Sequence, residues 1–500
     1  MSRTDPHAAT DRDGGPGRPL GRVDRYFEIT ARGSTVPREV RGGLVTFVAM
    51  AYIVVLNPLI IGTVPDSTGT YLGGGDAPNL PAVAAVTALV AAVMTALMGV
   101  VARFPLGLAA GLGLNAFIAY GVASLPGMTW PMAMGLVVLE GLVILVLVLT
   151  GFRRAVLRAV PAQLKIATSV GIGLFLTLVG LVNAGFVRSP VGGGTPLELG
   201  IGGSLRGWPT VVFVVGLLLT IVLVARGVPG ALLVGVVVAT ALALALQAAF
   251  DIGGQSGGDE PNPTGFGLSV PQVPAQWLGL PDLSLLGQVN PLGAFAAVGV
   301  VTAVLVVFTL VVADFFDTMG TMVAVGAEGG LLDEEGNPVG SQRILLVDSL
   351  AAVAGGAASA SSATSFVESA AGVGDGARTG LASVVTGAAF LVAVVASPLV
   401  SLVPYEAASP ALVVVGFLMM SQVTGIRWDD IGIALPAFLT IVLMPFSYSI
   451  TVGIGAGFLT YVLLAVARGR ARTVHPLLWV VAAAFVLYFT IGPVQDALTG

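Results

Sequence analysis

The chain has 500 residues, of which 56% are hydrophobic and only 10% charged, and its mean hydropathy is +0.96; a soluble domain carries about 25% charged residues, so a soluble fold is excluded. The absence of cysteine removes disulfides, thiolate metal sites and cysteine nucleophiles, and the two histidines, His7 and His475, stand at opposite ends of the sequence and offer no metal cluster. The net charge of −5 is uninformative for a membrane protein, and no cofactor, metal or nucleic-acid partner is expected.

Residues 1–40 begin with "MSRTDPHAATDRDGGPGRPLGR", polar and rich in Gly and Pro. They read as a disordered cytoplasmic tail without the apolar core of a signal peptide. A helical span needs roughly 20 apolar residues. Runs of that kind follow at 43–64, 82–102, 105–123, 131–151, 165–187, 209–226 and 229–250. A Gly- and Pro-rich stretch at 251–297 contains no Lys or Arg. Eight more runs lie at 298–325, 343–357, 360–377, 381–402, 409–424, 431–447, 450–467 and 477–494. None shows period-2 alternation, which argues against an outer-membrane barrel.

With the N-terminus inside, the loops expected inside hold Arg103, the group at 153–158, Arg226, Arg343, Arg378, Arg427 and the arginines of 468–472. Loops expected outside are almost free of Arg, Arg188 and Arg206 excepted. This register carries fourteen spans. The fifteenth run, 477–494, within a C-terminal region 468–500, reads either as a further span or as a helix packed on the bundle. Fourteen is twice seven, and two homologous sevens have opposite topology, so the pattern predicts an inverted repeat: 41–250 and 298–467, joined by an outside loop 251–297. The third run, "LGLAAGLGLNAFIAYGVA", is small-residue-rich around Asn115. Seven spans later "ASASSATSFVESAAGVGDGARTG" is the same around Glu368. Broken, small-residue segments at matching places of two inverted halves point to a transporter's binding site.

Charged groups inside spans cost about 2.5–3.5 kcal/mol on insertion scales and are functional candidates. They are Glu140, Lys165, Asp314, Asp317, Asp348 and Glu368. Asp314 and Asp317 are three apart in "VVADFFDTMGTMVAVG" and share a helix face with Thr318 and Thr321; the bland alternative for either is a cap or an Arg partner. Glu368 has Thr364, Ser365 and Ser369 nearby, whose hydroxyls suit its carboxyl, and the alternative is a carboxylic acid tying two helices together. Asn115 offers a donor and an acceptor to a ligand or to another helix. Asp348 reads as a cap or as part of a proton path, and Glu140 as structural. Lys165, the only lysine, reads as snorkelling at the cytoplasmic end of its span. The "GVGD" at 372–375 mimics the second motif of intramembrane aspartyl proteases. Asp375 sits only three residues before Arg378, at the expected membrane boundary, so a protease is a remote alternative and no enzyme is expected.

At these residues the chain resembles the adenine/guanine/hypoxanthine permeases, the AzgA-like branch of the nucleobase–cation symporter (nucleobase/ascorbate transporter) family. The resemblance runs through "DRYFEITARGSTVPREVRGGLVTFVAMAYIVVLNPLIIG", "GLAAGLGLNAFIAYGV", "PAQLKIATSVGIGLFLTLVGLVNAGFV", "DFFDTMGT", "TSFVESAAGVGDGARTGL" and "MPFSYSITVGIGAGFLTY". It departs where "GLAAGLGLNAF" has Ala in place of the family's frequent Pro, and in the tail and the 251–297 loop. The resemblance implies an all-α polytopic, uracil-permease-like fold. Its fourteen segments would form two inverted repeats with core and gate domains, and spans three and ten would contain short strands. It also implies Asp317 and Glu368 as the main purine-binding carboxyls, assisted by Asn115 and Asp314, and proton-coupled, elevator-type import across the plasma membrane.

The residue chemistry is compatible. A purine is flat, polar at its edge and apolar on its faces, and needs a few aligned polar groups between apolar walls. Thr318 and Ser365 supply further hydroxyls. Phe316 and Phe366, with Phe117 and Phe315, adjoin the polar positions. A carboxyl that gains a proton can donate to a ring nitrogen, which would link proton and base binding through Glu368 or Asp317, with Asp348 a further candidate. The main alternative is an anion transporter of the same fold, against which the excess of carboxylates over Arg argues. A homodimer in the bilayer is left open, as is the identity of the preferred purine.

Overall fold

The computed structural model describes residues 21–151, 161–190, 195–255, 262–267, 269–274, 276–334 and 336–499. The first half of the expected N-terminal tail, residues 1–20, and Arg153, Arg154 and Arg158 lie outside the described residues.

Among the described residues, nine helices are long and apolar enough to cross a membrane, at 36–61, 80–102, 130–149, 162–183, 208–225, 231–250, 300–329, 405–425 and 450–467. Shorter apolar helices lie at 112–122, 380–395, 431–447 and 476–490. The protein is therefore a multi-pass, mostly helical membrane protein. In chain order the helices are α1 (Arg22–Phe27), α2 (Val36–Met50), α3 (Ile53–Ile61), α4 (Leu80–Leu97), α5 (Leu112–Ala116), α6 (Trp130–Leu149), α7 (Ala162–Asn183), α8 (Trp208–Ala225) and α9 (Ala231–Phe250). There follow α10 (Gly293–Ala297), α11 (Val300–Gly329), α12 (Ser341–Ala357), α13 (Ser369–Gly374), α14 (Gly380–Val395), α15 (Tyr405–Met420), α16 (Ile431–Ser447), α17 (Ile450–Ala467) and α18 (Pro476–Thr499).

Packing sorts most of these into two groups. In one, α2 packs on α13 and α14, α4 on α3 and α14, and α6 on α11 and α12. In the other, α7 packs on α15 and α16, α8 on α9 and α15, and α17 on α16. The fifteenth apolar run is α18, which packs on α17 and α11. Close approach within each group rests on glycine. A Cβ on Gly141 of α6 would stand 2.6 Å from the Val353 nitrogen of α12, and one on Gly173 of α7 2.6 Å from the Gly416 carbonyl of α15. Apolar faces alone do not hold helices together in lipid, so such small-residue seams do.

Two interruptions at membrane depth set up the site. After α4 and a π-helical turn at 98–102, the chain runs as strand β1 (Leu108–Ala110) before α5 begins. After α12, Ser359 and Ser361 take left-handed backbone angles, φ 54° and 73°, and turn the chain into strand β4 (Ala363–Ser365). β1 and β4 pair antiparallel, with Leu108 opposite Ser365 and Ala110 opposite Ala363. Gly111 N–H donates to the Ser362 carbonyl at 2.9 Å and Phe366 N–H to the Gly107 carbonyl at 3.0 Å. Hydroxyls complete the backbone pairing: Thr95 serves both Leu108 N–H and its carbonyl at 2.9 Å, Ser369 accepts from Gly107 N–H at 2.9 Å, and Ser383 from Leu106 N–H at 2.9 Å. Non-helical backbone in a bilayer is tolerable only when buried and satisfied in this way.

A second, two-residue ribbon pairs β2 (Val187–Arg188) with β3 (Glu198–Leu199) in the loop after α7. At the opposite end of the bundle, Glu39 is fully buried and accepts from Arg378 N–H at 2.9 Å and Thr379 N–H at 3.2 Å. Beside it Arg41 pairs with Asp375 at 2.5 Å. Asp375 of the "GVGD" stretch is thus held by a basic side chain at the helix ends, and does not face Asp317 as a protease dyad partner.

Candidate functional site

Between the two helix groups lies a cavity of about 730 Å³, within the usual range for small-molecule sites. One wall comes from α11 and the β4–α13 connection: Phe316, Asp317, Thr321, Thr364, Ser365, Phe366 and Glu368. The facing wall comes from α7, α15 and the turn after it, with Lys165, Thr168, Ser169 and Gln422 as its polar members. Asp317 is exposed, and the space it faces is this cavity. Glu368, at the start of α13, is partly buried. Its Oε1 accepts from the Tyr52 hydroxyl at 2.5 Å, a contact that brings the α2–α3 junction into the cavity wall. Phe316 and Phe366 supply apolar surface beside the carboxyls.

The expected site residues divide into two layers. Asp317, Glu368, Ser365, Phe316 and Phe366 line the cavity. Thr318 and Asp348 lie behind that wall. Asp348 accepts from the Thr318 hydroxyl and from the Ser365 hydroxyl, both at 2.8 Å, and Thr318 and Thr364 share a hydrogen bond at 2.8 Å. Asp348 is therefore no helix cap: it stands in the second turn of α12 and is buried. Asp314 and Asn115 are also fully buried and do not line the cavity. Neither Asp314 oxygen nor either Asn115 amide atom has a hydrogen-bond partner among the described residues. Phe117 and Phe315 point into the core.

Lys165 requires a correction. It lies in the first turn of α7 but does not reach along lipid to the membrane surface. Its ammonium sits over the Phe316 ring, 4.1 Å from the centroid, so the cation rests on the aromatic wall of the cavity. Tyr52 carried no sequence signal: one phenol in an apolar run reads as packing. Away from the cavity, Tyr120 and Phe175 each meet Tyr448 edge-to-face, at 5.6 Å and 5.1 Å, bridging the π-helical turn after α5, α7 and the α16–α17 break.

A polytopic bundle with paired broken segments and a largely apolar cavity bearing a few polar groups between two helix groups is a membrane transporter, not an enzyme. The protein belongs to the Permease family, whose model matches residues 38–456. It is 36% identical over 473 residues to the guanine/hypoxanthine permease PbuG of Bacillus subtilis, covering 93% of this chain and 98% of that one. It is 34% identical to the adenine permease AdeP of Escherichia coli, covering 93% and 96%. Among solved structures, it shares its fold with the transmembrane domain of the cyanobacterium bicarbonate transporter BicA. That match has a TM-score of 0.57 and 18% identity, and covers 84% of this chain and 96% of that one. The murine anion transporter Slc26a9 in its inward-facing state matches with a TM-score of 0.58 and 10% identity, covering 87% and 69%.

Proposed function

We propose that the protein imports purine nucleobases, of the adenine, guanine or hypoxanthine type, by proton symport across the plasma membrane. The observation that carries this reading is that Asp317 and Glu368 line one cavity beside Phe316 and Phe366, in a chain whose full-length relatives are named for guanine, hypoxanthine and adenine transport. Two carboxyls complement the donor edge of a purine, and the phenyl walls suit its faces. No metal or other cofactor is assigned, and the coupling ion is a proton exchanged at Glu368 or Asp317.

The architecture proposed is fourteen spans in two inverted repeats, 41–250 and 298–467, with the N-terminus cytoplasmic. β1–α5 and β4–α13 form the third and tenth spans. The group containing α11 and the paired strands would be the moving core and the α7–α9, α15–α17 group the gate, giving elevator-type access. The cavity reaches the N-terminal turn of α7, which follows the arginine-rich stretch 153–158 in sequence, and this fits a cytoplasm-facing state. A homodimer would anchor the gate.

Uptake of labelled adenine, guanine, hypoxanthine, xanthine and uracil into proteoliposomes, with and without an imposed pH gradient, tests the reading. Saturable, gradient-stimulated uptake of a purine is expected; no saturable uptake of any base would sink it. Glu368→Gln with full proton dependence retained would remove Glu368 from the coupling role. A second reading, an anion transporter, is favoured by one observation: the Lys165 ammonium in the cavity wall. The two carboxylates across from it count against that reading, and saturable chloride or bicarbonate flux without base flux would establish it.

A further inference from the structure

Behind the cavity wall is a second, dry polar site. Asp314 on α11, Asp348 on α12 and Glu140 on α6 are 0%, 1% and 0% exposed. Asp348 is satisfied by two hydroxyls. Glu140 Oε1 accepts from Ser362, beside β4, at 3.2 Å, while its Oε2 has no partner among the described residues. The three helices that carry these carboxyls, α6, α11 and α12, pack on one another.

Of the elements packed on α11, α7 carries a cation, Lys165, whose ammonium sits over the Phe316 ring. α6 has no other ionisable residue, and β4 and α10 have none. α12 adds only Arg343, exposed at its first turn, and α11 adds Asp317 at the cavity and Glu328, exposed near its end. None of the ion pairs among the described residues involves the three carboxyls. Three anions so buried, without an ion-pair partner among the described residues, are untenable, and they must share protons. No group of three among the described residues has the geometry to hold a metal ion. Thr364 and Ser365 line the cavity, and their hydroxyls lead to Asp348, directly from Ser365 and through Thr318 from Thr364.

We propose that Glu140, Asp314 and Asp348 form a second proton-binding site, distinct from the cavity carboxyls, that exchanges protons with the cavity through these hydroxyls and changes its proton content when a base binds. A hydroxyl accepts a proton on its oxygen from cavity water and passes its own to a carboxylate oxygen, so charge and atoms balance at each transfer. This rests on the purine–proton reading above and adds Glu140, which touches neither cavity nor base.

The test is calorimetric titration of the purified protein with the base that it transports, in pairs of buffers with different ionisation heats, over a range of pH. The difference between buffers counts protons taken up per base bound. The wild-type count is expected to depend on pH in more than one step. Glu140→Gln is expected to bind the base within about tenfold of wild type, with one step of the proton count lost or displaced. If the count for Glu140→Gln superimposes on wild type at every pH, Glu140 is a fixed structural acid and the inference is overturned while the transport reading stands. Wild-type protein that binds no base overturns both. Should Glu140→Gln not assemble, Ser362→Ala, which removes the hydroxyl that donates to Glu140, carries the same measurement: a displaced step is expected, and a count that superimposes on wild type overturns the inference.

Discussion

Tyr52 and Glu368 are 316 positions apart in sequence, yet the phenol donates to the carboxyl across 2.5 Å at the edge of the cavity. Both oxygens belong to cavity-lining residues, so the bond fixes the orientation of the carboxyl offered to a ligand. A hydrogen bond to a charged group is worth about 1.5–3 kcal/mol, or roughly 10- to 150-fold. Tyr52→Phe is expected to weaken base binding within that range while leaving the fold intact. Wild-type affinity in a direct binding assay would show that the bond does not orient Glu368.

Lys165→Met separates the two ligand readings. For a neutral base, loss of the ammonium removes a cation–π contact worth about 0.5–2 kcal/mol, so uptake is expected to fall by no more than about 30-fold. For an anion it would remove the only cation of the cavity wall among the described residues, and transport would be abolished. Kinetics of base uptake and anion flux on the same preparation decide between them.

Asp66, in the loop after α3, gives a pH-dependent stability prediction. Burial acts to raise its pKa, but donors from Thr68, Trp130 and Thr70 outweigh burial and hold the carboxyl below its ordinary value. Its stabilisation is therefore complete above the ordinary carboxylate pKa of about 3.9 and is lost as pH falls through the lower folded value. Asp66→Asn is expected to cost about 1–3 kcal/mol at neutral pH. The gap in melting temperature from wild type should close on acidification through that window; a gap independent of pH would contradict the linkage.

Glu39 tests the far end of the bundle. Its two carboxylate oxygens hold the amides of Arg378 and Thr379 at the entry to α14. Glu39→Ala strands both amides in a buried position, at about 1.5–3 kcal/mol for each bond to the charged group. Glu39→Gln keeps one acceptor and should recover part of the loss. Thermal unfolding in detergent is expected to rank wild type, Gln, Ala in that order.

The span positions were readable because the bilayer demands long apolar runs, and the segments around Asn115 and Glu368 stood out because small polar residues are rare there. Asp317 and Glu368 could be singled out by charge alone. Depth could not. Asp314 and Asp317 share a helix face, yet only Asp317 reaches the cavity, because α6 and α12 cover the earlier turn. Lys165 was misread since a lysine near a helix end has two apolar surfaces to lie along, lipid or Phe316, and hydropathy does not distinguish them. The β1–β4 pairing left no periodic trace: three residues are too few to alternate, and their partners are hydroxyls on distant helices.

The three-residue strands also constrain how the molecule is made. Leu108 emerges from the ribosome long before Ser365, its partner. Until the later strand arrives, the earlier one has an open edge at membrane depth, where lipid offers no substitute donor or acceptor. The cavity wall that carries Asp317 and Glu368 is consequently completed only once β4 has been made. Truncated chains ending before β4 should be recognised as unfinished by the cell's quality control even when every preceding helix has been inserted.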